Sequence, residues 1–184
     1  MLDRDDRKED ELLAIRCQLG EPAAFDALIA RWHEPLWKYL RRLTGDDEAA
    51  AEAVQDTWLR ILRGMPRLRD CARVRAWIFG IARRVVMDRL RVKYAEAGRV
   101  STGEVDLPIE EESSDLKEEL LLLQEELSRL PVPEREVLVL FYLEELTLIE
   151  IADVVGIPAG TVKSRLFRAR KALRDQLVRK GVKR

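Results

Sequence analysis

The sequence is poor in the residues that staple a fold or hold a metal. Cys17 and Cys71 stand alone with no CxxC spacing, and His33 is the only histidine. A His/Cys metal site would need more ligands than these, so neither a metal nor a cofactor is expected. Nine glycines and seven prolines in 184 residues are too few for a loop-rich or low-complexity chain. No window approaches the roughly 18 uncharged apolar residues of a membrane span. The opening MLDRDDRKEDELL is charged and lacks the apolar stretch of a secretory signal. These absences predict a cytoplasmic protein with no membrane insertion. A Gly-rich phosphate loop and a nucleophile–base set are also missing, so no catalytic residue and no enzyme are expected.

What remains favours helix and nucleic acid. Leu, Ala, Arg and Glu dominate, all residues that lose little in a helix. The net charge of −1 conceals strong segregation. Residues 1–56 carry −6, 57–95 carry +9, 96–126 carry −9, 127–157 carry −4 and 158–184 carry +9. Ordinary solvated helix faces mix signs. Two basic blocks around an acidic one point to two polyanion-binding surfaces.

The hydrophobic pattern predicts an all-α protein. Between Ala23 and Leu43, Phe25, Leu28, Ile29, Trp32, Leu36, Tyr39, Leu40 and Leu43 recur at steps of three and four, with Pro35 expected to kink or split the helix. A second helix is expected over Asp47–Leu62, with Val54, Trp58, Ile61 and Leu62 buried. A loop from Pro66 to about Ala72 leads into a third over Arg73–Lys93. That helix should bury Val74, Trp77, Ile78, Ile81 and Val85 and display Arg75, Arg83, Arg84, Arg89 and Arg91. Periodicity then fails from Ala95 to about Ser114, which reads as a flexible acidic linker. The expected organisation is two small helical domains, residues 1–94 and 116–184, joined by a linker over 95–115. At −9 between two +9 blocks, that linker is expected to fold onto the basic faces in the free chain. In the second domain a Leu120, Leu123, Leu127, Leu130 stripe ends at Pro131 and Pro133, and a largely buried helix follows over Glu134–Leu143.

The clearest motif lies further on. Thr147 and Glu150 form a capping-box signature, Gly156 supplies a left-handed stop, and Pro158 pre-sets the next first turn. Two helices joined by a short glycine-containing turn make a helix-turn-helix. In its second helix Val162, Leu166, Ala169, Leu173 and Leu177 share one face. The other face holds Gly160, Ser164, Arg168 and Lys171, flanked by Thr161, Lys163 and Phe167. Lys163 and Arg168 suit guanine O6 and N7, Ser164 suits several bases, and Phe167 suits a thymine methyl. Arg165, Arg170, Lys171 and Arg174 suit phosphates or salt bridges.

LPVPEREVLVLFYLEELTLIEIADVVGIPAGTVKSRLFRARKAL closely resembles region 4 of bacterial RNA polymerase sigma factors, in particular the extracytoplasmic-function (ECF) group. Upstream, DDEAAAEAVQDTWLRIL resembles the part of region 2 that binds the polymerase clamp. RVRAWIFGIARRVVMDRLR resembles the part that melts and reads the minus-10 element. The resemblance covers about Ala23 to Leu177. It implies a sigma factor whose partners are core RNA polymerase, promoter DNA and an anti-sigma factor.

It further implies that Glu52, Gln55, Asp56, Trp58 and Arg60 bind polymerase. Arg69, Arg73, Trp77, Arg83, Arg84, Met87, Asp88 and Arg91 would handle the single-stranded minus-10 element. Thr161, Lys163, Ser164, Arg165, Phe167, Arg168 and Lys171 would read duplex minus-35 DNA. Trp77 also sits on the apolar stripe, so core packing and base stacking are both open to it. The chain departs from the family at Arg84, where Asn is common, so the family's minus-10 base preference is left open here, and a basic residue at that place can still contact the backbone. The rival is a conventional helix-turn-helix regulator that binds duplex DNA without polymerase. Such a protein would lack a promoter-melting first domain.

Overall fold

A computed structural model describes residues 4–97, 122–123 and 125–180. The linker expected over 95–115, its folding onto basic faces, and the start of the leucine stripe at Leu120 fall wholly or largely outside the described residues. Every regular element among the described residues is helical.

The first helix, α1 (Arg4–Gln18), has no counterpart in the sequence reading. Its composition is mostly polar, and only Ala14, Cys17 and Asp10 are deeply buried in its described part. It is held by charge as much as by packing. Arg31 of the next helix gathers Asp6, Glu9 and Asp10 at 3.1, 2.8 and 2.7 Å. At its end, Gln18 donates to the carbonyls of Met65 and Leu68 at 3.1 and 2.6 Å. It thereby pins the loop before the third predicted helix.

Helix α2 (Pro22–Thr44) starts on a proline and stops at Gly45, whose φ of 74° is the left-handed cap. It runs through Pro35 without a break. The expected split does not occur. Proline removes one backbone hydrogen bond, while Trp32, Leu36, Tyr39 and Leu40 bury themselves on both sides of it. Helix α3 (Asp47–Gly64) is capped by Asp46, which accepts from the Ala49 amide at 2.7 Å. Two single 3₁₀ turns, Met65–Arg67 and Cys71–Arg73, shape the loop that leads to α4 (Val74–Ala97). These helices close over Phe79, which meets Trp32 and Tyr39 edge-on at centroid distances of 5.9 and 5.3 Å.

In the second group residues 125–128 are helical, and after Pro131 comes α5 (Val132–Leu138), which passes into a π turn at Val139–Leu143. The wider turn shifts the register. Tyr142 and Leu143 face solvent, whereas Glu144 is buried. Helices α6 (Leu148–Val155) and α7 (Ala159–Arg179) form the helix-turn-helix. Its capping box is complete, and Gly156 has φ of 73°. Val137, Leu140, Leu146, Ile151, Val162, Leu166 and Ala169 make its core. The two groups do not stand apart, for α4 lies against α6 and the buried residues of both join in one cluster.

Candidate nucleic-acid interface

Helix α7 presents an open basic face. Val162, Leu166 and Ala169 anchor it in the core, which turns Lys163, Ser164, Phe167, Arg168 and Lys171 outward. Phe167 is 69% exposed, a large apolar group left without an intramolecular cover. Arg168 makes one long ion pair, 3.9 Å to Glu134, and its side chain stays 61% exposed. Ser164 donates to the Thr161 carbonyl at 3.0 Å. Thr161 and Arg165 are half-buried at the edge of this face. Arg170 is exposed, and its guanidinium lies 5.4 Å over Phe141 and 5.2 Å over Tyr142.

Helix α4 is divided between two sides. One side carries Trp77, Arg84, Asp88 and Arg91. Trp77, Ile81 and Arg84 line a cavity of about 340 Å³ together with Arg60, Gly64 and Arg67 of α3 and its following turn. Trp77 is half-buried, so it neither disappears into the core nor stands free. Gly64 makes this possible, because a Cβ there would come within 2.8 Å of the Trp77 ring. Arg84 donates to the Gly80 carbonyl at 3.0 Å and remains exposed. Asp88 lies 3.7 Å from Arg60 and 3.8 Å from Arg91. Met87 packs against the core, and Arg69 is exposed in the preceding loop.

The other side of α4 is occupied by the second group of helices. Arg83 donates to Glu136 at 2.8 Å, and the same carboxylate accepts from the Tyr39 hydroxyl at 3.1 Å. Arg73 reaches Asp153 at 2.9 Å. Arg75, expected on the surface, is only 3% exposed. It donates to the Glu144 carbonyl at 2.7 Å, lies 3.8 Å from Asp10, and sits 5.1 Å over the Trp32 ring. A helical wheel of α4 alone cannot show this, since the surface that buries Arg75 comes from Glu144, far along the chain.

Burial shifts the acids in this seam. The Glu144 carboxyl is pushed up to about 7 by desolvation, against the pull of Arg42, Arg75 and Lys38. Burial also raises Glu136, against Arg83, Tyr39 and Arg165, and pushes the Tyr39 hydroxyl well up.

On α3 the expected polymerase-facing residues divide as well. Glu52 and Asp56 both hold Arg89 of α4 at 2.6 Å. Gln55 is exposed, Trp58 half-buried, and Arg60 belongs to the Trp77 cavity. Sequence reading placed Leu62 in the core, yet Leu59 and Leu62 are 49% and 54% exposed. Ala50, Ala53 and Thr57 take the buried positions instead. Gln55, Leu59 and Leu62 step by four and three along one outward stripe. Only their apolar character, in a helix already supplied with a buried face, could have signalled this.

Two family models match the chain: Sigma-70 region 2 over residues 28–95 and Sigma-70, region 4 over residues 120–173. A Mycobacterium tuberculosis protein named ECF RNA polymerase sigma factor SigM is 34% identical over 170 residues, 92% of this chain and 85% of its own. The chain belongs to the ECF RNA polymerase sigma factors. A second relative from M. tuberculosis, ECF RNA polymerase sigma factor SigL, is 35% identical over 90% of this chain and 95% of its own. Bacillus subtilis SigW is 29% identical over 86% and 91%.

Solved structures show the same fold. The sigma factor RpoE from Bartonella quintana, solved with the anti-sigma factor NepR, superposes with a TM-score of 0.74 at 24% identity, over 87% of this chain and 98% of that one. CnrH, solved with the cytosolic domain of CnrY, gives 0.67 at 24% identity over 92% and 97%. Members of this family direct RNA polymerase to promoters, which sets the helix-turn-helix in a bipartite promoter reader and not in a stand-alone regulator. No helix among the described residues is long and apolar enough to cross a membrane.

Proposed function

We propose that this sigma factor acts without chemistry of its own, as a dissociable initiation subunit that lends core polymerase two DNA-reading surfaces. Helix α7 reads the minus-35 element as duplex, with Lys163, Ser164, Phe167 and Arg168 at base edges. Thr161, Arg165 and Lys171 lie along the backbone. The outward placement of a bare Phe167 between cations is the observation that carries this, because a groove wall is the natural cover for it. The cavity on α4 receives an unpaired minus-10 nucleotide. Trp77 offers a stacking face, while Arg60, Arg67 and Arg84 offer donors to the base or its phosphate. Arg69, Met87, Asp88 and Arg91 extend the minus-10 surface from this cavity, and Arg73 and Arg83 extend it on the side of α4 that faces the second helix group.

Polymerase docks on α3 through Glu52, Gln55, Asp56 and Trp58, to which the exposed Leu59 and Leu62 add apolar area. Its place of action is then the cytoplasm, where polymerase and promoter are. An anti-sigma factor, implied by the family, completes the partner set. Two weak DNA contacts held at one spacing by polymerase gain avidity without any new contact.

Run-off transcription with core polymerase on a promoter library tests the reading. Transcription that depends on this protein and selects two spaced elements is expected. Duplex binding with no polymerase dependence would return the rival regulator.

A further inference from the structure

Among the described residues, the Trp77 cavity is lined by three arginines and no acid. The three are not equivalent. Arg60 is held by Asp88 at 3.7 Å, and Arg67 is exposed on the turn after α3. Arg84 stands on α4 itself, seven residues and about two turns from Trp77, so the two share a face. Its Nε donates to the Gly80 carbonyl at 3.0 Å, which orients the guanidinium. No carboxylate among the described residues pairs with it, so its two terminal nitrogens keep their donors for a ligand. Gly80 adds an independent sign. It lies inside α4, about one turn from Trp77 and one from Arg84, where glycine weakens a helix. A Cβ at Gly80 would meet nothing within 4 Å, and its φ is not left-handed, so neither packing nor backbone conformation calls for glycine there. The missing side chain leaves a notch on α4 beside the indole and the guanidinium.

We infer that Arg84 is a specificity-determining residue: it reads one unpaired minus-10 base as guanine, with O6 and N7 on its two terminal nitrogens and the base ring against Trp77 over the Gly80 notch. A guanidinium only donates, so a pocket of arginines favours a base edge with two adjacent acceptors. Guanine has that edge in O6 and N7. Adenine sets an amino donor beside N7, and thymine sets a methyl beside O4. Unpaired cytosine offers N3 and O2, but its single ring covers less of the indole face. An asparagine at position 84, with one donor and one acceptor, would suit adenine instead. Arg60, paired with Asp88, and Arg67, on its turn, are left for the phosphates on either side.

This rests on the reading of α4 as the minus-10 surface, so the test separates the two. Core polymerase is assembled with the full chain, as wild type, Arg84→Asn or Arg84→Ala. Each holoenzyme transcribes a promoter library randomised across the minus-10 element, with every promoter marked by a barcode in its transcript. A preferred promoter is then rebuilt with 7-deazaguanine in the non-template strand. That analogue lacks the N7 acceptor and keeps the Watson–Crick edge.

The wild type should select guanine at one minus-10 position by about 5- to 150-fold over the other bases, the range of one bidentate contact. Arg84→Asn should move that position to adenine, and Arg84→Ala should level it, with the other positions and the minus-35 element unchanged. 7-Deazaguanine should cost the wild type much of its preference and cost Arg84→Ala nothing. Minus-10 selection without a guanine position, a guanine preference that survives Arg84→Ala, or an equal response of both proteins to the analogue would each overturn the assignment. A uniform loss on all bases in Arg84→Ala would overturn it too, by making Arg84 a phosphate contact. Transcription that selects no minus-10 base at all would instead overturn the reading of α4.

Discussion

Helices α4 and α7 lie in blocks of equal charge, +9 each, yet they end in different states. On α7 the core is met by Val162, Leu166 and Ala169, and the cations project into solvent around Phe167. On α4 the cations are divided, Arg84 at the Trp77 cavity and Arg83 under an acid of the second group. Net charge by segment shows where a polyanion could bind. It does not show which of those sites the protein already fills with its own carboxylates.

The largest effect should come from removing the packing beneath α4. Phe79 is fully buried and braces Trp32 and Tyr39. Phe79→Ala should cost about 3–5 kcal/mol of stability, read by chemical denaturation. Because Tyr39 bonds Glu136 across the seam, the loss should also loosen the contact between the two groups. Retained stability would mean that α4 is supported chiefly from the second group. That would reverse the comparison.

The next effect is a dependence on pH. Glu144, from the second group, faces Arg42 and Lys38 of α2 and Arg75 of α4, and its carboxyl is pushed up to about 7 by burial. Its value in an unfolded chain is about 4.3. A raised acid favours the folded, closed form while protonated. That contribution is present below about pH 4.3 and is lost as pH rises through about 7. The shift corresponds to about 4 kcal/mol at most. Glu136 and Asp10, also raised by burial, act with the same sign. Closure should therefore weaken from about pH 5 to about pH 8, seen as expansion in scattering and a lower denaturation midpoint. Glu144→Gln should flatten most of the slope. A slope unchanged by that substitution would remove Glu144 from the seam's energetics.

The contrast between α4 and α7 also explains what the sequence could and could not disclose. The helix-turn-helix is specified locally. Thr147, Glu150, Gly156 and Pro158 fix its caps and turn within a dozen positions, so pattern reading places it correctly. The all-helical class follows from composition and period. Helix α1 escaped because Arg31 binds its acids from another helix, and few apolar positions mark it. Arg75 reads as exposed because the group that buries it, around Glu144, is far away in sequence. Pro35 does not split its helix, because packing on both sides of it exceeds the one hydrogen bond it removes. Leu62 reads as core because a helix wheel assigns a face by hydrophobicity, whereas the small residues Ala50, Ala53 and Thr57 fit the available space.

On α7 the proposed base contacts should be separable from phosphate contacts. Arg168 is exposed and bound only loosely, to Glu134. Arg168→Ala should cost about 1–3 kcal/mol, concentrated at one minus-35 position. The measurement is run-off transcription across a set of single-base promoter variants. A uniform loss on all of them would recast Arg168 as a backbone contact. It would also leave Lys163 and Phe167 as the base readers.

The smallest effect distinguishes the local from the distant role of one residue. Thr147 and Glu150 cap α6 reciprocally. The Thr147 hydroxyl accepts from the Glu150 amide at 3.2 Å, and the Glu150 carboxylate accepts from the Thr147 amide at 2.7 Å. Glu150 has a second partner, Arg7 of α1, at 3.6 Å across the seam. Thr147→Ala should cost about 1 kcal/mol through the cap alone and be insensitive to salt. Glu150→Ala removes the other half of the cap and also the cross-seam pair, so it should cost a few tenths of a kcal/mol more at low salt. That excess should vanish at high ionic strength. An excess that persists would place the Glu150 contribution wholly within the helix-turn-helix, and α1 would then have no share in holding the two groups together.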